Sequence, residues 1–202
     1  MANISAIRSV GISLADYLNH AYSHSTFPPN VTKPECKYSL RSIGGIKTED
    51  VSVTDSAVRV LIFLYRVMMN QHVRNVGRMT DSGRRPVPLS VDLHYLFSFW
   101  SKSVESEQLV LAWTMRQFHE VPLLDGSTLS GEAAWGADEV IQVIPEEITN
   151  EDMLRIWETI EPNYRLSLSY VARVVRIDPD ETPEHPQVVA TRFDYAVPGL
   201  QS

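Results

Sequence analysis

Residues 57–67, with the sequence AVRVLIFLYRV, constrain the fold of this 202-residue chain more than any other segment. The run is rich in β-branched and aromatic residues and is largely apolar on both alternating faces, which is typical of a strand that is buried on both sides. Such a strand requires other elements on both sides of its sheet. The segment therefore predicts a central strand in a layered domain, and the chain is long enough for one sizeable core.

Three segments have the apolar periodicity of amphipathic helices. The first follows Asn3, a residue able to accept amide hydrogens of a first turn, and its apolar face comprises Ile4, Ile7, Gly11, Leu14 and Leu18. The second starts at the capping residue Ser103, ends before Pro122, and has a predicted buried stripe of Val104, Gln108, Leu111, Ala112, Met115 and Phe118. The third is capped by Thr149 or Asn150, ends at Pro162, and places Met153, Ile156, Trp157 and Ile160 on one side.

Further strands are predicted at 38–43, 89–100, 140–144 and 165–177. In the second of these, Val91, Leu93, Tyr95 and Phe97 share one face, and in the last the buried register is Leu166, Leu168, Tyr170, Ala172, Val174 and Arg176. We expect an α/β (α+β) fold, a single mixed β-sheet flanked by about three helices. Residues 1–180 form its one domain, and residues 181–202 form a carboxy-terminal arm or an extra strand around Val188 to Tyr195.

Charge and cysteine content limit the class of protein. The formal net charge is −7, which repels phosphate backbones, so we expect no nucleic-acid partner. The single cysteine, Cys36, cannot form an internal disulfide and favours a reducing cytoplasm. Charged residues interrupt the amino-terminal segment and every long apolar run, so we expect neither a signal peptide nor a membrane span.

Catalytic motifs are not evident in this sequence. The glycines lack the spacing of a dinucleotide or phosphate-binding loop, and no HExxH motif accompanies His20 and His24, for which carbonyl capping at a helix end is the better interpretation. His94 and His119 are interpreted as hydrogen-bonded structural residues, and Cys36 as a small half-buried residue. The acidic group Glu146, Glu147, Glu151 and Asp152 precedes a helix, where it stabilises the helix dipole. We therefore predict no enzyme, no cofactor and no metal.

A basic segment between the second and third strands runs against the acidic character of the chain. Its turn residues predict an exposed loop from Asn70 to Pro88, and its candidate interface residues are Arg74, Asn75, Arg78, Arg84 and Arg85. A solvated loop and a docking surface for an acidic partner both fit this composition.

Four sequence segments carry a resemblance to a known family. In order they are VRVLIFLYRVMMNQHVRN, PVPLSVDLHYLFSFW, LAWTMRQFHEVPLL and YRLSLSYVARVVRID, beginning at residues 58, 86, 111 and 164. Together with the opening helix, they make residues 4–178 similar to the amino-terminal domain of the cap, or tail-terminator, proteins of extracellular contractile injection systems, which are phage-tail-like particles. Because this sequence ends soon after its last predicted strand, we do not expect it to supply functions that longer members place in a further carboxy-terminal domain.

The resemblance implies a structural protein that forms a homohexameric ring, ends the growth of tube and sheath, and joins the sheath to the inner tube. Its partners would be copies of itself and the sheath and tube proteins, in a particle that is assembled in the cytoplasm and then released or anchored in the cell. A closed ring requires a head-to-tail interface, and an extended arm can add to an open strand edge. Besides the basic loop, the interface residues that we predict are Val188, Val189, Arg192 and Tyr195.

Two other functions fit the same sequence. A cytoplasmic assembly chaperone or adaptor would bind sheath subunits without remaining in the particle. A small α/β enzyme would use the neighbourhood of His94, His119 and Glu120.

Overall fold

The computed structural model describes residues 2–46, 57–70, 79–80, 83–84, 88–158, 160 and 164–178. Within these residues there are three α-helices, which are α1 (Ala6–His24), α2 (Val104–Glu120) and α3 (Asn150–Glu158). The strands are β1 (Glu35–Arg41), β2 (Ala57–Met69), β3 (Met79–Thr80), β4 (Gly83–Arg84), β5 (Leu89–Trp100), β6 (Leu123–Leu124), β7 (Ile141–Pro145) and β8 (Ser167–Ile177). Short 3₁₀ turns lie at Ile43–Gly45 and Gly131–Ala133.

Six strands form one sheet in the order β1-β2-β5-β8-β7-β6. The pairing of β1 with β2 is parallel and the other four pairings are antiparallel, so the sheet is mixed and the predicted α+β fold is confirmed. The long β2 to β5 connection, predicted as a loop, holds a separate two-stranded ladder, in which Met79 pairs with Arg84 and Thr80 with Gly83. The predicted exposed loop therefore contains two short strands that the sequence analysis did not predict.

The sheet is covered on both faces, as the sequence of β2 requires. Val60 and Ile62 pack into the main core with α1 and α2, whereas Leu61 and Phe63 pack into a second core with Trp157 of α3. All four β2 side chains are at most 2% exposed. The prediction of a central, doubly covered strand is confirmed for the first half of β2. The second half, which continues two residues beyond Val67, has exposed side chains.

The helix caps follow the sequence signals. The Ser103 hydroxyl accepts a hydrogen bond from the Ser106 amide at 3.2 Å, and the Thr149 hydroxyl accepts one from the Asp152 amide at 3.1 Å. Asn3 bonds through its side chain to the Ser5 amide at 2.8 Å, in the turn before α1 rather than at its cap. Ile4 lies in that turn and is exposed, which corrects its predicted place on the apolar face of α1.

The buried stripe of α2 differs from the prediction. Val110, Trp113, Thr114 and Phe118 are buried, whereas Val104 and Met115 are 66% and 46% exposed. Thr114 enters the core because its hydroxyl is satisfied there, at 2.8 Å from the Val110 carbonyl oxygen and at 2.8 Å from the Tyr38 hydroxyl. The helix is thus rotated relative to the stripe that apolar periodicity alone predicts.

The register of β8 changes at Val174. This residue has φ 61°, in the left-handed region that β-branched residues avoid, and the β5–β8 ladder shifts register between Val91 and Leu93. Beyond the irregularity Val175 takes the buried position, with no exposed surface. The predicted burial of Val174 and Arg176 is therefore wrong, because a bulge exchanges the two faces of the strand.

Candidate interaction surfaces

The structure describes little of the predicted interface. Arg84 lies in β4, and its backbone pairs with that of Met79. The other predicted residues, Arg74, Asn75, Arg78, Arg85, Val188, Val189, Arg192 and Tyr195, lie outside the described residues, as does the carboxy-terminal segment 181–202. These assignments stay predictions.

A hydrogen-bonded cluster ties four strands or strand ends together on the α3 face of the sheet. Its centre is the Glu146 carboxylate, directly after β7, whose Oε2 accepts from the Tyr65 hydroxyl at 2.7 Å and the Ser169 hydroxyl at 2.9 Å. Its Oε1 lies 2.8 Å from His94 Nδ1 and 2.5 Å from Arg66 Nη2. The cluster fixes the second half of β2, which carries Tyr65 and Arg66, against β5, β7 and β8.

The cluster keeps Glu146 ionised. Burial of this carboxyl opposes the charged form, but hydrogen bonds from Tyr65, His94 and Ser169 outweigh it and hold the pKa of Glu146 below its ordinary value. The predicted helix-dipole role therefore does not describe Glu146, although Glu151 and Asp152 do lie in the first turn of α3. The predicted hydrogen bonding of His94 is confirmed at Nδ1.

The strained Val174 is held by a second carboxylate. Asp92 of β5 accepts from the Val174 amide at 2.9 Å and from the Asn70 side chain at 3.0 Å. Val174 also lines a shallow recess of about 150 Å³, together with Trp135, Asp138, Glu139, Val140, Ile141 and Arg176. No periodicity signal in the sequence marks this bulge, because Val174 fits the alternation of the strand.

The β1 edge of the sheet is closed by a side chain. Asn19 of α1 accepts from the Tyr38 amide at 2.9 Å and donates to the Tyr38 carbonyl oxygen at 2.9 Å. These are the two hydrogen bonds that a residue of an added strand would make, so Asn19 occupies the edge at the middle of β1. Asn19 was not predicted, since a polar residue on a surface helix gives no sign of a distant strand.

The opposite edge of the sheet is also occupied. Leu123 and Leu124 of β6 pair with Gln142 and Ile141 of β7, and the Val143 amide donates to the Pro122 carbonyl oxygen at 2.7 Å. The last residue of β7 is Pro145, which has no amide hydrogen to offer.

The second half of β2 forms a third edge of the sheet, because β1 does not extend alongside it. β1 ends at Arg41, opposite Phe63, whereas β2 continues to Met69. Val67, Met68 and Met69 are 46%, 41% and 68% exposed. Among the described residues, no strand pairs with this part of β2 on the side away from β5.

The residues considered for catalysis do not assemble into one site. His94 belongs to the α3 face of the sheet, next to Tyr65 with ring centroids 6.1 Å apart, while His119 and Glu120 end α2, which packs on the other face. Burial raises the pKa of the half-buried Cys36 thiol to about 12, so the protonated thiol is favoured over the reactive thiolate. In the described ranges no group of three or more histidine, cysteine or acidic residues has metal-site geometry.

The end of α1 confirms the predicted carbonyl-capping role for His24, whereas the His20 side chain lies beside the His24 ring, with ring centroids 4.4 Å apart. His24 Nδ1 lies 2.9 Å from the His20 carbonyl oxygen. The ammonium group of Lys33 donates to the carbonyl oxygens of Tyr22, Ser23 and Ser25 at 2.6, 3.2 and 3.0 Å, a cap that the sequence pattern did not indicate.

For the helices in the described ranges, length and apolar character together fall short of what crossing a bilayer requires.

Solved structures that share this fold include two terminator or cap proteins. One is the sheath/tube terminator of an extracellular contractile injection system, PVC, in the extended state, with a TM-score of 0.53 and 16% sequence identity over 94% of this chain. The other is the tube-terminating cap of the anti-feeding prophage, with a TM-score of 0.51 and 17% identity over 92% of this chain. This chain spans 64% and 61% of the length of those two proteins. No curated protein sequence matches it significantly.

At these identities the structural likeness establishes the fold alone. The family follows from the sequence, which matches the Pvc16 N-terminal domain over residues 9–191. The match includes the central strand, the β5 segment, α2 and β8, which are the segments that carried the resemblance noted above. The chain therefore belongs to the Pvc16 N-terminal domain family.

Proposed function

We propose that this chain is a cap, or terminator, subunit of a contractile injection system. Copies of it form a homohexameric ring on the last layer of the particle, end the growth of tube and sheath, and join the sheath to the inner tube. The particle assembles in the cytoplasm. The observation that carries the proposal is the family match over residues 9–191. The two solved structures support it, since one is a sheath/tube terminator and the other a tube-terminating cap.

The described surface is consistent with a protein that acts by shape. The polar clusters at Glu146 and Asp92 bond strands of the sheet to one another, and the residues of the enzyme hypothesis lie on opposite faces. A terminator needs contact surfaces for its own copies and for the layer below, and it needs no reactive group.

Particles assembled without this chain test the function. We expect electron micrographs to show tubes and sheaths of uncontrolled or aborted length, and we expect the intact chain supplied in trans to restore a single length. Particles of normal length and stability in its absence would exclude a terminator role. Mass spectrometry of purified particles separates a cap from an assembly chaperone, because a cap remains in the particle at a few copies and a chaperone does not.

The predicted basic interface has its own test. Reversing Arg84 and Arg85 to glutamate should abolish capping, because the loop would then repel an acidic tube or sheath face, while the subunit stays folded. The control is reversal of Arg116 and Arg155 to glutamate, which makes the same change in charge at exposed helix positions where surface ion pairs contribute little. Normal capping by the Arg84 and Arg85 variant would remove this loop from the interface.

A further inference from the structure

The edge of β2 beyond β1 offers backbone groups to an added strand. The Asn70 amide donates to the Ser90 carbonyl oxygen at 2.9 Å, so Asn70 faces β5. Because successive residues of an antiparallel strand face alternate sides, Val67 and Met69 direct their N–H and C=O groups away from β5. No register shift interrupts the ladder between Arg66 and Met69.

Among the residues that the structure describes, none closes this edge in the way that the other two are closed. Natural sheets protect their edges with charges, prolines or covering side chains, and here Asn19 covers β1 and Pro145 ends β7. Along β2 the exposed side chains are Val67, Met68 and Met69, and the nearby Arg66 is held by Glu146. Methionine side chains adapt to varied apolar partners, so this edge suits strand addition.

We propose that residues 187–195 of a neighbouring copy of this chain add to the edge of β2 as a strand. The segment, QVVATRFDY, contains no glycine or proline and is rich in β-branched and aromatic residues. Pro186 precedes it and Pro198 follows soon after, which limits it to about one strand length. All four carboxy-terminal residues of the predicted interface, Val188, Val189, Arg192 and Tyr195, belong to this segment.

The position of β8 brings the carboxy-terminal segment within reach of this edge. β8 ends at Ile177, at the same end of the sheet as Met69, because Met69 pairs with Val91 and Val91 with Val175. The new strand position is three strand spacings from β8, or roughly 14 Å. Residues 179–186 include three prolines, Pro179, Pro183 and Pro186, and such a spacer spans about 25 Å when extended. The spacer can therefore reach this edge in its own subunit or in an adjacent one, and we assign the neighbouring copy because a ring requires contacts between copies.

Each copy would then donate one strand and accept one, which is a head-to-tail contact able to close into a ring. The inference rests on the proposed function only in requiring several copies side by side. It names the contact by which those copies are joined.

Photo-crosslinking of the full chain tests the contact without assuming a register. Met69→p-benzoylphenylalanine is introduced into an unlabelled and a ¹⁵N-labelled copy, which are mixed before assembly and irradiated. We expect adducts that join position 69 of one isotopic form to peptides of residues 187–195 of the other. Adducts confined to one isotopic form would show pairing within a subunit and overturn the proposal, as would the absence of adducts to this segment.

A proline variant provides an independent test of the same edge. Val67→Pro removes an amide hydrogen that faces away from β5, and we expect it to weaken self-association at least tenfold in analytical ultracentrifugation with unchanged circular dichroism. Val67→Thr keeps the amide and serves as the matched control. If Val67→Pro impairs folding, Thr191→Pro combined with Arg192→Pro disrupts the donated segment at a site remote from the core, with the same expected loss. Wild-type association of the folded variants would overturn strand exchange.

The outcomes distinguish this inference from the proposed function. Missing adducts in particles that still depend on the chain for their length would refute strand exchange and leave the terminator function standing. If copies of the chain crosslink at this contact, but particles assembled without the chain keep their normal length, the terminator function alone would be refuted.

Discussion

Neutralising Glu146 should destabilise the whole domain through the cluster that it centres. Glu146→Gln keeps the shape of the side chain but removes its charge, and hydrogen bonds to an ionised group contribute about 1 kcal/mol more than neutral ones. Three of the four donors, Tyr65, His94 and Ser169, are partly or fully buried, whereas Arg66 is half exposed and can turn to water. The expected loss is about 2–3 kcal/mol, or roughly 5–10 °C in Tm for a domain of this size.

The loss should depend on pH in a defined direction. The fold lowers the pKa of Glu146 from its ordinary value of 4.5, so the unfolded chain binds this proton first as the pH falls. The stabilisation is fully present above pH 4.5 and is lost as the pH falls through the lower pKa of the folded state. Wild type and Glu146→Gln should therefore differ most near pH 7 and converge below pH 4.5.

Urea unfolding of both proteins between pH 3 and pH 7 measures this difference. The matched control is Glu147→Gln, which neutralises the adjacent, exposed carboxylate and should change stability by less than about 0.5 kcal/mol. Equal stability of wild type and Glu146→Gln at neutral pH would refute the reasoning. A difference that stays constant down to pH 3 would show that packing, rather than charge, is responsible.

Three further changes test other parts of the fold. Asn19→Ala should cost about 1–2 kcal/mol in thermal unfolding and increase concentration-dependent self-association, because it uncovers the Tyr38 backbone; unchanged association would argue against edge protection. Thr114→Val should cost about 1–2 kcal/mol by leaving the buried Tyr38 hydroxyl without this partner, whereas exposed Met115→Ala should change unfolding by less than about 0.5 kcal/mol. Alkylation of Cys36 by iodoacetamide at pH 8 should be at least about tenfold slower in the folded chain than in urea, since burial raises the pKa of its thiol; equal rates would contradict its burial.

Local sequence patterns were sufficient to predict the elements and their layers. β2 is apolar on both faces, which is a local property of its residues and leaves few alternatives to a doubly covered strand. The caps at Ser103 and Thr149 were readable for the same reason, since each bonds to an amide three residues away. The family resemblance also followed from short contiguous segments.

The contacts between groups far apart in the chain could be identified from the folded structure alone. Glu146 contacts Tyr65, 81 residues away, and Asn19 covers Tyr38, 19 residues away, and no periodicity specifies such pairs. Thr114 is buried because a partner for its hydroxyl lies on β1, and Val174 accepts an unfavourable backbone conformation because Asp92 binds its amide. Local patterns record the average burial of a face, whereas hydrogen bonds between distant strands depend on the arrangement of the complete sheet.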